Sequence, residues 1–145
     1  MGRATSGVTG MKFRSEDSLL SMSVIPAGTD PDVFVVFESG LAKRSKASEW
    51  SRKGRGILGV AVAKLSERGG DLVGALTVSA ADEVLVVMEK GNIVRSRVDE
   101  VRLTGRNTMG VSFATPRTGM TSIVAVARSE AAEPKSTRQK SRSEA

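Results

Sequence analysis

One stretch of this chain is written twice. Residues 40–62, GLAKRSKASEWSRKGRGILGVAV, return 51 positions later as residues 91–113, GNIVRSRVDEVRLTGRNTMGVSF. Laid over each other without a gap, the two share Gly40/Gly91, Arg44/Arg95, Ser45/Ser96, Glu49/Glu100, Gly54/Gly105, Arg55/Arg106, Gly59/Gly110 and Val60/Val111. Gly2, Arg3, Gly7 and Val8 give a third, partial copy of the Gly-Arg-x-x-x-Gly-Val phrase. Self-similarity at a period of about 50 residues marks an array of small sheets, each a unit that cannot cover its own apolar faces. Such a chain must stack.

The repeated positions make physical sense. Gly40 and Gly91 each follow an apolar run (residues 33–37 and 84–88) and precede a more polar one, the pattern of a hairpin turn that needs positive φ. Gly54–Gly59 and its partner Gly105–Gly110 bracket a loop in which the backbone turns sharply or lies close to a neighbour. Strands are expected at 19–25, 33–37, 41–45 and 60–65, then at 73–78, 84–88, 93–96, 111–114 and 123–127, with residues 47–53 irregular or briefly helical. The lone last strand is expected to complete a neighbouring sheet, which protects its edge. Residues 129–145 keep no apolar periodicity and are expected to be a disordered tail.

The Gly-Arg-x-x-x-Gly-Val phrase, preceded by Gly-x-x-x-Arg-Ser and a glutamate, resembles the C-terminal domain of the DNA gyrase A subunit; the topoisomerase IV A subunit is similar but less regular. The resemblance covers most of residues 1–128. It implies an all-β fold of β-pinwheel, propeller-like blades, here a truncated array with a disordered C-terminal tail. The expected divisions are a remnant of a preceding blade at 1–13, a blade at 14–65, and a blade plus lone closing strand at 66–128, followed by the tail. The family's basic box, Gln-Arg-Arg-Gly-Gly-Lys/Arg-Gly, is absent, and residues 52–56 are a faint echo of it. An opening in mid-repeat favours truncation of a longer polypeptide. Two blades leave bare the faces and edges that a closed ring covers, so a marginal monomer or self-association is expected.

The function implied by the resemblance is duplex DNA binding and wrapping without sequence specificity, in support of ATP-dependent negative supercoiling. The partners implied are duplex DNA and, within a longer polypeptide, the B subunit of gyrase together with the rest of the A subunit. The net charge of +6 favours an anionic partner, nucleic acid before membrane. Phosphates would be met by Lys43, Arg44, Arg52, Lys53, Arg55, Lys90, Arg95, Arg97 and Arg106, because a blade repeat delivers the same charges at regular angular steps. Against this stands a structural use of Arg44 and Arg95, pairing with Glu49 and Glu100 to pin each blade. Alternative readings are the topoisomerase IV equivalent, or an interaction module whose basic rim meets an acidic protein.

The inventory excludes most chemistry. There is no Cys, no His and no Tyr, hence no disulfide, no thiolate or imidazole, and no tyrosine to form the DNA ester of a type II topoisomerase. No Gly-x-x-x-x-Gly-Lys-Ser/Thr phosphate loop is present. The reading is therefore a non-catalytic part of an enzyme, with no cofactor, no metal and no small-molecule substrate. The acidic pairs Glu16-Asp17, Asp82-Glu83 and Asp99-Glu100 are read as solvated turns. Phe13, Phe34, Phe37, Phe113 and Trp50 are read as core, since each aligns with an apolar residue in another copy. No run of roughly 18 apolar residues offers a membrane span, no secretory segment opens the chain, and the cytoplasm, in association with the nucleoid, is the expected location.

Overall fold

The computed structural model describes residues 1–64, 66–114 and 122–130. Within them the fold is all β, with two short 3-10 turns and no α-helix. The strands are β1 (Asp32–Phe37), β2 (Leu41–Lys46), β3 (Leu72–Val78), β4 (Glu83–Met88), β5 (Ile93–Arg97), β6 (Val111–Ser112) and β7 (Ile123–Ser129). They form two antiparallel sheets, one ordered β3-β1-β2-β6 and the other β5-β4-β7.

The repeat is visible residue by residue. β1 and β2 form a hairpin through Gly40 at φ 88°, and β4 and β5 form the same hairpin through Gly91 at φ 86°. Both second strands run into a single 3-10 turn, Ala47–Glu49 and Val98–Glu100. The glycine that closes each following loop is left-handed in all three copies: Gly7 at 83°, Gly59 at 77° and Gly110 at 95°. Only glycine holds such angles without strain, so the spacing of these residues reports backbone geometry.

Sheets and repeats are offset. β3 opens the second unit in sequence, yet it pairs along the whole of β1, from Asp32↔Val78 to Phe37↔Leu72. β7 does the same for β4, from Glu83↔Ser129 to Met88↔Ile123, so the last strand completes its neighbour's sheet. Each pairing shifts register at the same place, between Val36 and Phe37 and between Val87 and Met88. The expected boundary between residues 65 and 66 therefore falls inside one sheet. β3 also packs against β7. This makes β3 and β7 the inner strands, and places β2 and β6 at the far side of the first sheet. The approach is close at Gly74, where an added Cβ would lie 2.5 Å from Cγ1 of Val126.

One core joins the sheets. Phe34, Val36 and Ala42 of the first pack with Val84, Val86 and Met88 of the second, with Val98, Val101 and Ile123 closing the ends. Phe113 meets Phe34 edge to face, ring centroids 5.3 Å apart at 72°. On the opposite face of the first sheet Val35 and Phe37 pack with Ala63. Phe13 departs from the expected core role and is exposed.

Two expected strands are not formed. Residues 19–25 carry no strand pairing, and Leu19, Leu20, Met22, Val24 and Ile25 are all exposed. Residues 60–64 are likewise irregular, and Leu65 lies outside the described residues. Their counterparts show why. Residues 72–78 become a strand because β1 offers an edge, and Val111–Ser112 because β2 does. Among the described residues, 60–64 join no strand ladder, and 19–25 touch the edge strand β3 only through Ser21 Oγ, which donates to the Ala75 carbonyl (3.2 Å), so neither segment has its backbone paired as a strand. The opening segment instead lies beside the first loop, where the Lys12 N–H donates to the Ile57 carbonyl (2.9 Å) and the Gly56 N–H to the Gly10 carbonyl (2.9 Å). The turn expected at 116–119 and the tail from residue 131 onward lie outside the described residues; Ser129 itself ends β7.

Candidate nucleic-acid interface

The alternation of β2 sorts the candidate cations. Ala42 and Arg44 face the second sheet, while Lys43 faces the opposite way. Lys43 is 2% exposed, and its ammonium donates to the carbonyls of Val62 (2.9 Å) and Arg106. Burial first, and the nearby Arg106 guanidinium second, push its pKa below the ordinary value, against a smaller opposing effect of Glu49. Lys43 is thus a clasp between the loops of the two units, a correction to its place among the rim charges.

Arg44 is also withdrawn from the surface. Its side chain is 11% exposed and pairs with the buried carboxylate of Asp32 at 3.4 Å, which Lys46 joins at 2.6 Å. Arg95 repeats the arrangement with Glu83, but there the guanidinium is 59% exposed. The pin expected for these arginines exists, with a different acid: Asp32 and Glu83 replace Glu49 and Glu100. Glu83 accordingly belongs to a strand and not to a solvated turn. Of the other acids, Asp82 accepts from the Ser79 N–H (2.8 Å), and Asp99 takes Nε of Arg97 at 3.0 Å. Glu49 lies by the second loop, 3.5 Å from the Arg106 backbone nitrogen.

The remaining candidates separate by element. Arg52, Lys53 and Arg55 are exposed on the loop that leaves the first 3-10 turn. Lys90 is exposed at the β4–β5 hairpin, and Arg97 on β5, where Asp99 holds it. Arg106 is half-buried, and its Nη1 donates to the Ala61 carbonyl at 3.2 Å. Arg102, absent from the sequence-derived set, is exposed on the loop that leaves the second 3-10 turn. Its signal was available: it lies in the second copy of the segment that carries Arg52 and Lys53.

These two loops follow equivalent 3-10 turns but are held differently. The second runs along the outer edge of the first sheet, where the Thr104 N–H donates to the Arg44 carbonyl (2.8 Å) and the Phe113 N–H to the Gly40 carbonyl (3.0 Å). That edge lies across the sheet from β3. Glycines at both loops leave backbone N–H groups near the surface without a side chain to screen them.

A family model described as the DNA gyrase C-terminal domain, beta-propeller, matches residues 1–26, 32–79 and 82–118. The chain belongs to the DNA gyrase C-terminal domain family. The last two matched stretches open at the hairpins that begin with β1 and β4. The DNA gyrase A subunit of Streptomyces coelicolor is 52% identical over 113 residues, covering 78% of this chain and 13% of that protein. The Salmonella typhimurium equivalent is 39% identical over 111 residues, covering 77% of this chain and 12% of its own length. The chain therefore corresponds to a small part of these gyrase proteins. Among solved structures, a DNA gyrase A C-terminal domain matches with TM-score 0.73 at 29% identity, covering 88% of this chain and 43% of that one. The C-terminal domain of DNA topoisomerase IV matches with TM-score 0.77 at 23% identity, which is a likeness of fold. Among the described residues no helix is long and apolar enough to cross a membrane.

Proposed function

We propose that this chain binds duplex DNA without sequence preference, through the cationic glycine loops that follow the two 3-10 turns, as part of a gyrase A wrapping domain. The observation that supports the reading is exposed charge on both loops, although not position for position: Arg52, Lys53 and Arg55 stand on the first, and Arg102, the counterpart of Ser51, on the second. Lys90 extends the set at the next hairpin, with Arg97 and Arg95 as weaker members because acids already hold them. Lys43 and Arg44 act indirectly, by fixing the loops and the sheets on which the charges stand. A phosphate backbone is recognised by charge at repeated intervals and by exposed N–H groups, and neither reads a base edge. In this reading the chain supplies curvature and charge, while cleavage and ATP hydrolysis belong to the B subunit of gyrase together with the rest of the A subunit.

Direct binding tests it. Unrelated duplexes of equal length should bind the folded chain with equal affinity at low salt, and ATP with Mg²⁺ should yield neither nicking nor supercoiling by the chain alone. A folded sample that binds no long duplex at low salt overturns the proposal.

A further inference from the structure

Arg106 belongs to the second unit in sequence and is held by the first in space. Its backbone nitrogen lies 3.5 Å from Oε2 of Glu49, just before the first cationic loop. Its Nη1 donates to the Ala61 carbonyl on the far side of that loop (3.2 Å), and its own carbonyl accepts from the Lys43 ammonium. Both ends of the first loop therefore close on one residue of the second. Two backbone bonds extend the seam, from the Lys64 N–H to the Thr108 carbonyl (3.1 Å) and from the Thr104 N–H to the Arg44 carbonyl (2.8 Å).

Lys43 stands beneath this seam and joins its two sides, with the Val62 carbonyl on one and the Arg106 carbonyl on the other. It is buried, so it meets no phosphate itself, and a buried ammonium holds firmly to the groups that solvate it. The repeat does not account for it. The counterpart of Lys43 in the second unit is Val94, which has no donor to offer, whereas the loops and their glycines recur. The clasp is an addition at the joint between these two units.

Arg52, Lys53 and Arg55 on the first loop and Arg102 on the second are exposed on either side of that joint. A duplex touching both loops must follow the line from one to the other. Charge attraction reaches about 8–10 Å at ordinary salt and tolerates a small displacement of a cation. Curvature does not, because the stiffness of the duplex loads the loops that bend it and straightens it wherever they yield. We propose that Lys43 is a positioning residue that holds the two cationic loops together under this load, and so sets the curvature of bound DNA and not the number of its phosphate contacts. The inference rests on the proposal that these loops bind duplex DNA.

Energy transfer between dyes at the two ends of a short duplex reads its bend, and a salt titration reads its contacts. The wild type should draw the ends together. Lys43→Met, measured where it remains folded, should lose most of that gain and keep the wild-type slope of log K against log salt. The chain has no Cys, so Lys64→Cys with Thr108→Cys allows a single disulfide across the seam. Added to Lys43→Met, that pair should restore the bend when oxidised and lose it again when reduced. Should Lys43→Met fail to fold, Lys43→Gln, which has a shorter arm, carries the same expectation. A lysine that served stability alone would leave the folded variant bending DNA as the wild type does. That result, a wild type that binds without bending, a flattened slope, or no rescue by the oxidised pair would overturn the inference while DNA binding stands. A folded wild type that binds no duplex would overturn both.

Discussion

Gly110→Ala and Gly59→Ala are the same substitution in two copies of one repeat, and the structure assigns them different costs. Both residues are left-handed, at φ 95° and 77°. An L side chain there costs about 1–2 kcal/mol, of which roughly 0.4–1 kcal/mol is returned by the lower entropy of the unfolded chain. At Gly59 nothing else is added, since the nearest atom to a new Cβ is Cε of Met11 at 3.8 Å. At Gly110 the new Cβ would stand 2.7 Å from the Ala42 carbonyl oxygen and 3.3 Å from its carbon. These are backbone atoms of β2, which cannot rotate away, and overpacking of this kind costs about 1–3 kcal/mol more. Gly59→Ala should therefore lose about 1 kcal/mol and Gly110→Ala about 2–4 kcal/mol. Urea unfolding at a concentration where the chain is monomeric measures both. Equal stability losses at the two glycines would refute the claim that 103–114 is mated and 52–63 is not.

Arg44→Ala breaks a buried pair and should destabilise by about 3 kcal/mol, whereas Arg95→Ala removes an exposed one and should cost under about 1 kcal/mol; chemical denaturation of the two side by side checks this. Gly74→Ala drives a Cβ into Val126 on the inner strand, at 2.5 Å, and should destabilise by about 1–3 kcal/mol. The loss should shrink when Val126→Ala is added, as a double-mutant cycle would show. Lys43 gives a pH signature. Its folded-state pKa lies below 10.5, so between that depressed value and 10.5 the unfolded chain binds more protons, and this group's contribution to stability rises with pH. The stability of the wild type relative to Lys43→Met should increase across that alkaline window and stay level below it, as read from denaturation curves at successive pH values.

Much of the fold was legible because the chain states it more than once. The hairpin glycines, the left-handed loop glycines and the closing role of β7 all follow from positions that recur at 51 residues. The strands expected at 19–25 and 60–65 were not, because alternation shows only that a segment suits an edge. Whether an edge is present depends on which units are in the chain. The site was harder to read for a related reason. Lys43 and Arg44 look like rim charges in sequence, but stacking the two sheets places one side of β2 in the core and turns Lys43 toward the loop carbonyls. The partner of Arg44 could have been found. Asp32 and Glu83 are both acidic, stand 51 apart, and precede the arginines by the same distance across a hairpin whose register brings them to one face. Glu49 and Glu100, although identical, end the 3-10 turns that follow β2 and β5.

The salt dependence of duplex binding tests the central claim most directly. If the loop cations and their neighbours meet about four to six phosphates, log K against log salt should fall with a slope of roughly −4 to −5. Changing Arg52, Lys53 and Arg55 together to Ala should weaken binding to every duplex alike and flatten the slope by about two to three units. Thermal stability should be nearly unchanged, because all three side chains are exposed. Arg44→Ala, measured at a temperature where it remains folded, should lower stability and leave the slope as it was. A triple loop variant that keeps the wild-type slope, or an Arg44→Ala variant that flattens it, would contradict the account.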